Sequence, residues 1–200
     1  MPSQYSPRTW VKSALGIGLL ISATLFDGGS AVIGVILNDT GPNWGAQAAS
    51  ADHTSLRLLK AVLPGADSFS EKEGEVPVYK AYRTDPTSGE ETLIGYAFVT
   101  PDFPPEANGD SGPIDTLVGI DLQGKIVGLK SIYYRESLRY TWGDFLSDPK
   151  FVNQFIGKSA TDGFRIRKDI DGISKATISS RVVSQGVRQS VRAVTKAYLR

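Results

Sequence analysis

Apolar and polar positions fall into three kinds of run along this 200-residue chain. The first is continuous: residues 13–37 are apolar or small except for Asp27. A helix over these roughly 25 residues spans about 35 Å, enough to cross a hydrocarbon core of about 30 Å with some tilt. The second kind is strand-like. Residues 78–82 and 92–99 flank Asp85-Pro86-Thr87-Ser88-Gly89, where proline presets φ and glycine permits the positive-φ return, so a hairpin is predicted. Residues 114–122 and 125–134, rich in Val, Ile, Leu and Tyr and joined at Gln123-Gly124, carry the strongest hairpin signal in the chain. The third kind is helical. Leu56, Leu58, Leu59 and Val62 predict a short helix over 54–63 that ends at Pro64-Gly65. Trp142, Phe145, Leu146, Phe151, Val152 and Phe155 predict a short helix, a stop at Pro149, and a second short helix. Ile178, Val182, Val183, Val187, Val191, Val194 and Tyr198 step mostly by three and four. They predict an amphipathic helix over 178–199 that packs on the sheet, with Arg181, Arg188, Arg192 and Lys196 largely outward.

The connections are of different kinds. Residues 38–51, rich in Gly, Asn, Pro and Ala, form a linker, and residues 66–76 form an acidic loop in which Glu71, Glu73 and Glu75 alternate as a solvated edge. The Pro/Gly/Asn/Asp loop 102–112 is long enough to be functional. Strands and helices mix without regular βαβ alternation, so the fold class is α+β. The resulting organisation is a cytoplasmic N-terminus 1–12, a transmembrane anchor 13–37, a linker 38–51 and one extracytoplasmic domain 52–200. Arg8 and Lys12 precede the apolar run, whereas Asp39 and no nearby cation follow it, which keeps the N-terminus inside and exports the rest. A rival reading is a cleaved signal peptide with its apolar part at 15–26. Ala49-Ser50-Ala51 resembles a cleavage site, although it stands far from that part, and either reading exports the bulk of the chain. Asp27 is either a carboxyl facing a partner helix in the membrane or, with Gly28-Gly29-Ser30, a break between two apolar segments.

Charge and composition narrow the chemistry. A net charge of +1 without a basic stripe argues against nucleic acid. The absence of cysteine excludes disulfides, thiolate metal sites and a cysteine nucleophile. His53 is the only histidine, which argues against a histidine metal cluster and leaves a serine-hydrolase triad only a residue beside the anchor. A carboxylate-pair hydrolase has Asp110, Asp115 and Asp121 to draw on, but these run through a loop and strand in the manner of turn formers. No GxGxxG or P-loop pattern is present. What stands out is Asp171-Gly172-Ile173-Ser174-Lys175-Ala176-Thr177, a small, hydroxyl-rich stretch directly before the last helix. Such a stretch either holds a phosphate on free N–H groups at the helix start or simply caps the helix through Ser174 or Thr177.

The same residues carry a family resemblance. Asp171, Ser174, Ala176 and Thr177 resemble the flavinylation motif Asp-x-x-(Ser/Thr)-Gly-Ala-Thr of FMN-binding domains, with Lys175 in place of the usual glycine. Pro113-Ile114-Asp115-Thr116-Leu117-Val118-Gly119-Ile120-Asp121 followed by Gly124-Lys125-Ile126 is similar to the family's central hairpin, and Glu136-Ser137 stands where the family commonly has Glu-Thr. Phe151, Gln154, Phe155, Gly157 and Lys158 look like its Phe-x-x-Gln-Phe-x-Gly-Lys segment. The nearest likeness is to the branch of the nitrous-oxide-reduction regulator NosR. The one-anchor architecture is similar to the G subunit of the Rnf complex and the C subunit of sodium-translocating NADH:quinone reductase. The resemblance implies covalent FMN attached by a flavin transferase through a phosphoester to Thr177, with Asp171, Ser174, Lys175 and Ala176 around the attachment point and Glu136 and Ser137 near the flavin. It further implies a periplasmic, membrane-tethered electron carrier partnered by subunits of a membrane redox complex rather than a stand-alone enzyme. The alternative is a non-redox regulatory or assembly subunit with the same fold and no flavin.

Overall fold

A computed structural model describes residues 19–22, 34–37, 54–105, 108–109 and 111–199. The chain divides into two units, residues 1–49 and 50–200. In the first, β1 (Leu19–Ser22) and β2 (Gly34–Leu37) pair antiparallel, with Leu19 opposite Leu37 and Ser22 opposite Gly34. These eight residues lie inside the stretch expected to form one continuous membrane-spanning helix, and that expectation is corrected here. Each is a short apolar run, which periodicity cannot assign to helix or strand, and Asp27-Gly28-Gly29-Ser30 between them is turn-like in composition. Among the described residues no helix is long and apolar enough to cross a membrane. The linker 38–51 and His53 lie outside the described residues.

The second unit is α+β, as expected. It is built on a five-stranded antiparallel meander, β3 (Ser68–Phe69), β4 (Tyr79–Thr84), β5 (Glu91–Val99), β6 (Ile114–Asp121) and β7 (Ile126–Tyr134), in sequential order. Both predicted hairpins form. In the first turn Asp85 Oδ1 accepts the backbone N–H groups of Thr87 and Ser88 at 2.7 and 3.0 Å. In the second, Asp121 Oδ1 accepts those of Gln123 and Lys125, each at 2.9 Å, and Gly124 takes φ +75°. Only β3, inside the expected acidic loop, goes unforeseen. Two residues are too few to show a period.

Strand β6 is buried on both faces, because each face of the sheet carries a helix. On one lies α4 (Thr177–Tyr198), whose Val182, Val183, Val187, Val191 and Val194 share a core with Phe98, Val118, Ile120 and Ile126. Each fully buried valine stabilises the fold by roughly 1.5 kcal/mol or more. On the other lies α1 (Leu56–Val62), with Leu59, Val62 and the following Leu63 against Ala81, Ala97, Val99 and Leu117. Here the sheet offers Gly119 and Gly128, register partners, and the backbone of Val62 sits where their side chains would begin.

Between β7 and α4 the chain makes α2 (Arg139–Trp142), a 3-10 turn (Phe145–Ser147) and α3 (Pro149–Val152). Pro149 opens α3 instead of stopping the previous helix: it occupies the first turn, and Asp148 caps by accepting the N–H of Lys150 at 2.9 Å. A proline at the first helical position forfeits only an N–H that has no partner there.

Candidate functional site

The loop before α4 is held by three contacts. The N–H of Ala176 donates to the carbonyl of Ile173 at 3.0 Å, closing a turn in which Lys175 takes φ +63°. The third position of such a turn is where type II geometry demands positive φ and glycine is preferred. For an L-residue this costs roughly 1 kcal/mol. The ammonium of Lys175 lies 5.8 Å from the ring centre of Trp142, a cation–π contact worth about 0.5–1 kcal/mol at an exposed site. Lysine therefore reproduces the turn expected of the family's glycine at small net cost. The second contact is through Ser180: its hydroxyl accepts the N–H of Ile173 at 2.9 Å and donates to the carbonyl of Ala176 at 2.8 Å. The third is through Gln154, whose amide accepts the N–H of Asp171 at 2.6 Å and donates to the carbonyls of Asp171 and Lys150 at 3.2 and 2.9 Å.

Neither Ser174 nor Thr177 is the N-cap of α4. That position falls to Ala176, which has no side-chain oxygen to offer, and Thr177 is the first helical residue. The N–H groups of a first turn lack intrahelical partners and carry the positive end of the helix dipole. An alanine cap leaves them to an outside acceptor. Ser180 secures the loop from within the helix without occupying this end.

Residues 175–179 line a hollow of about 420 Å³ together with residues 136–138, which follow β7 directly. The expected site residues Lys175, Ala176, Thr177, Glu136 and Ser137 thus meet in one place. Thr177 is half-buried, Ser137 and Lys175 are exposed, and Glu136 is only 5% exposed. Gly109 packs so closely on the Glu136 carboxylate that a methyl group there would have to displace it. The segment after Glu136 is pinned by Tyr134, whose hydroxyl donates to Asp144 Oδ1 at 2.7 Å and whose ring lies 4.5 Å from the Arg139 guanidinium carbon. Burial and that carboxylate push the Tyr134 phenol well above its ordinary range, so it stays protonated and keeps donating. Ile178, in the lining, is 51% exposed, and Trp142, beside Lys175, is 45% exposed.

Asp171 and Ser174 face elsewhere. They line a neighbouring hollow of about 490 Å³ with Asp148, Lys150, Phe151 and Gln154, so the loop is a wall between two concavities. Of the carboxylates weighed for hydrolysis, Asp115 is buried within β6, Asp121 serves its turn, and Asp110 is outside the described residues. Among the described residues no group of three or more His, Cys, Asp or Glu side chains is placed to hold a metal.

Helix N–H groups and the Thr177 hydroxyl suit a phosphate, and the volume of the hollow around Thr177 suits a small ligand. These residues fit a flavin mononucleotide. Sequence reasoning did not single out Ser180, Trp142 or Gly109. Ser180 carried no distinguishing sign, because α4 also buries Ser179, Ser184 and Ser190.

Residues 109–192 match the family model of the FMN-binding domain. The chain is 28% identical over 143 residues to the G subunit of the proton-translocating ferredoxin:NAD(+) oxidoreductase complex of Clostridium ljungdahlii, covering 68% of this chain and 70% of that one. It is 29% identical over 136 residues to the G subunit of the ion-translocating oxidoreductase complex of Vibrio vulnificus, covering 64% and 60%. Against the corresponding G subunit of Pseudomonas aeruginosa it is 30% identical over 92 residues, covering 42% and 43%. The chain thus spans less than two thirds of the Vibrio and Pseudomonas relatives. Every residue of the hollow lies inside the family match.

Proposed function

We propose that this chain, whose residues 109–192 match the family model of the FMN-binding domain, is a flavoprotein component of a membrane redox complex, carrying FMN esterified to Thr177. The observation that carries this reading is the convergence of Glu136–Ser137 and Lys175–Thr177 on one hollow at the uncapped start of α4. Bound flavin supplies the electron-transfer chemistry. The chain's own residues supply the rest. Thr177 Oγ1 would be the attachment atom: a flavin transferase would form the Oγ1–P bond as the pyrophosphate bond of a flavin dinucleotide donor breaks, its nucleoside monophosphate and the hydroxyl proton leaving. The resulting phosphodiester keeps one negative charge, which the N–H groups of Thr177, Ile178 and Ser179 and the helix dipole stabilise. Glu136 and Ser137 complete the lining, and Ile178 offers apolar surface to a planar ring. Asp171 and Ser174, on the far side of the loop, are positioned to be read by the transferase.

The names of the relatives support partners in a membrane-bound oxidoreductase complex. The relatives' names also support membrane association, and the placement of residues 52–200 on the outer face is put to test below. Lys175 supports a place on the NosR-like branch. A flavin-free regulatory role is the lesser reading, since Lys175 keeps the turn that the family's glycine would make.

The test is mass spectrometry of protein coexpressed with a flavin transferase. Wild type is expected to carry an FMN-mass adduct and to stay yellow after acid precipitation, with absorbance near about 450 nm as for a flavin. Thr177→Ala is expected to carry none while melting like wild type. An unchanged adduct on the variant overturns the site, and a colourless wild type overturns the cofactor. Activity of a reporter fused after Arg200, measured outside the cytoplasm, tests the topology.

A further inference from the structure

A second concavity on α4 is lined mainly by arginine. Arg165 and Arg167, on the loop before the site, and Arg181 and Arg188, on the helix, line a cleft of about 220 Å³ with Phe164 and Gln185. No carboxylate lines it. Among the described residues none of the four guanidinium groups is in an ion pair or side-chain hydrogen bond. The two acids of the adjoining loop are engaged by backbone instead: Asp169 Oδ1 takes the N–H of Arg165 at 2.7 Å, and Asp162 Oδ2 that of Ser159 at 2.8 Å.

The loop is a fixed mount. Phe164 and Arg167 both take positive φ, +51° and +69°. Phe164 is anchored under the loop, stacked on Phe155 at 6.2 Å. Arg167 N–H donates to the carbonyl of Ile170 at 2.9 Å, and Ile166 and Ile170 form a bridge. Four like charges in one cleft that no carboxylate lines repel one another, and in a chain of net charge +1 they form a local excess. The geometry says what relieves it. Arg181, Gln185 and Arg188 follow one another at helical spacing, so the row extends about 10 Å along α4. One phosphate cannot reach both ends of that row. An extended acidic segment can, because its alternate side chains stand about 7 Å apart, and arginine forks grip carboxylates in bidentate fashion.

We infer that this cleft docks an acidic, extended segment of a protein partner, and does so beside the flavin site. Thr177 precedes Arg181 by four residues and therefore lies on the same side of α4, one turn away. A partner seated on the arginines reaches the start of the helix. This rests on the proposed function only for the partner's redox role; the docking itself needs no flavin. Because exposed arginines act at long range, the contact is a fast, salt-sensitive one.

Fluorescence anisotropy of a labelled peptide of alternating glutamate and serine, titrated with the full chain, tests this. Arg165→Ser/Arg188→Ser is expected to weaken binding at least tenfold and to reduce its salt dependence. Arg57→Ser/Lys60→Ser, the same charge change on the opposite side of the sheet, is expected to change it less than twofold. Both pairs of variants are expected to melt like wild type, since all four side chains reach the surface. Equal weakening by the two pairs overturns the cleft as a site. Displacement of the peptide by stoichiometric orthophosphate overturns the extended-segment reading in favour of a small-anion site. Loss of binding to phosphatidylglycerol vesicles in the cleft variant, with peptide binding unchanged, reassigns the surface to the membrane. Thr177→Ala binding the peptide as wild type does is expected, and keeps a failure of the FMN reading separate from a failure of docking.

Discussion

The two helices that cover the sheet are held by opposite means. Helix α1 is seven residues long and rests its backbone at Val62 on Gly119 and Gly128, a surface made by the absence of side chains. Helix α4 is twenty-two residues long and drives five valines into a core of aromatic and branched side chains. The first contact tolerates no addition, and the second tolerates no loss or charge. Their consequences for function differ as well. A long helix anchored by its middle and end can leave its first turn uncapped at a hollow, because its stability does not depend on that turn. A short helix seated on glycines has no turn to spare.

This contrast is open to direct attack. The largest effect is expected from Val187→Asp, which buries an unpaired carboxylate at a position with no exposure. It should cost about 4 kcal/mol or more, comparable to a domain's whole stability, and calorimetry should find little cooperative unfolding. A variant melting like wild type would show that α4 is not held by this face. Next comes Gly128→Val, where the obstacle is the Val62 backbone and not a flexible side chain. An expected loss of about 3 kcal/mol, read from denaturant midpoints, would confirm the glycine seat, and a neutral result would mean α1 can shift.

Smaller effects sharpen the account of the α4 start. Lys175→Gly relieves a positive φ but forfeits the contact with Trp142. Stability should rise by no more than about 1 kcal/mol, with flavin incorporation equal or faster in a time course under a matched transferase. Lys175→Glu should slow incorporation through repulsion of the incoming nucleotide. Parity between the glutamate and wild-type chains would remove Lys175 from the site's electrostatics. The smallest effect concerns acid. Hydrogen bonds from Ser159 hold the Asp162 carboxyl below its ordinary value. Its contribution is present above the unfolded value, about pH 4, and disappears as pH falls through the lower folded value. Asp162→Asn should therefore flatten the acid side of the stability profile slightly, leaving neutral pH little changed apart from a uniform offset.

The sequence alone determined the strands of both main hairpins, the extent of α4 to within a residue, the α+β class and the resemblance to FMN-binding domains. Each of these rests on short-range regularities: alternation, helical spacing, turn residues and a contiguous motif. It also named Glu136 and Ser137 beside Thr177, but only through resemblance, for nothing local links positions forty residues apart in the chain. Only tertiary structure brought them to one hollow, turned Asp171 and Ser174 to the other side of the loop, and exposed Ile178 although it fits the apolar stripe. Tertiary structure also made Ala176 the cap, since the boundary of α4 depends on where the Ser180 hydroxyl meets the loop. At 19–22 and 34–37 apolar runs that read as one helix became paired strands, because hydrophobicity without period leaves the choice to long-range pairing. The arginine cleft follows the same rule. Its members are ordinary surface charges in sequence, and become a site only when a loop with two left-handed residues sets Arg165 and Arg167 beside Arg181 and Arg188.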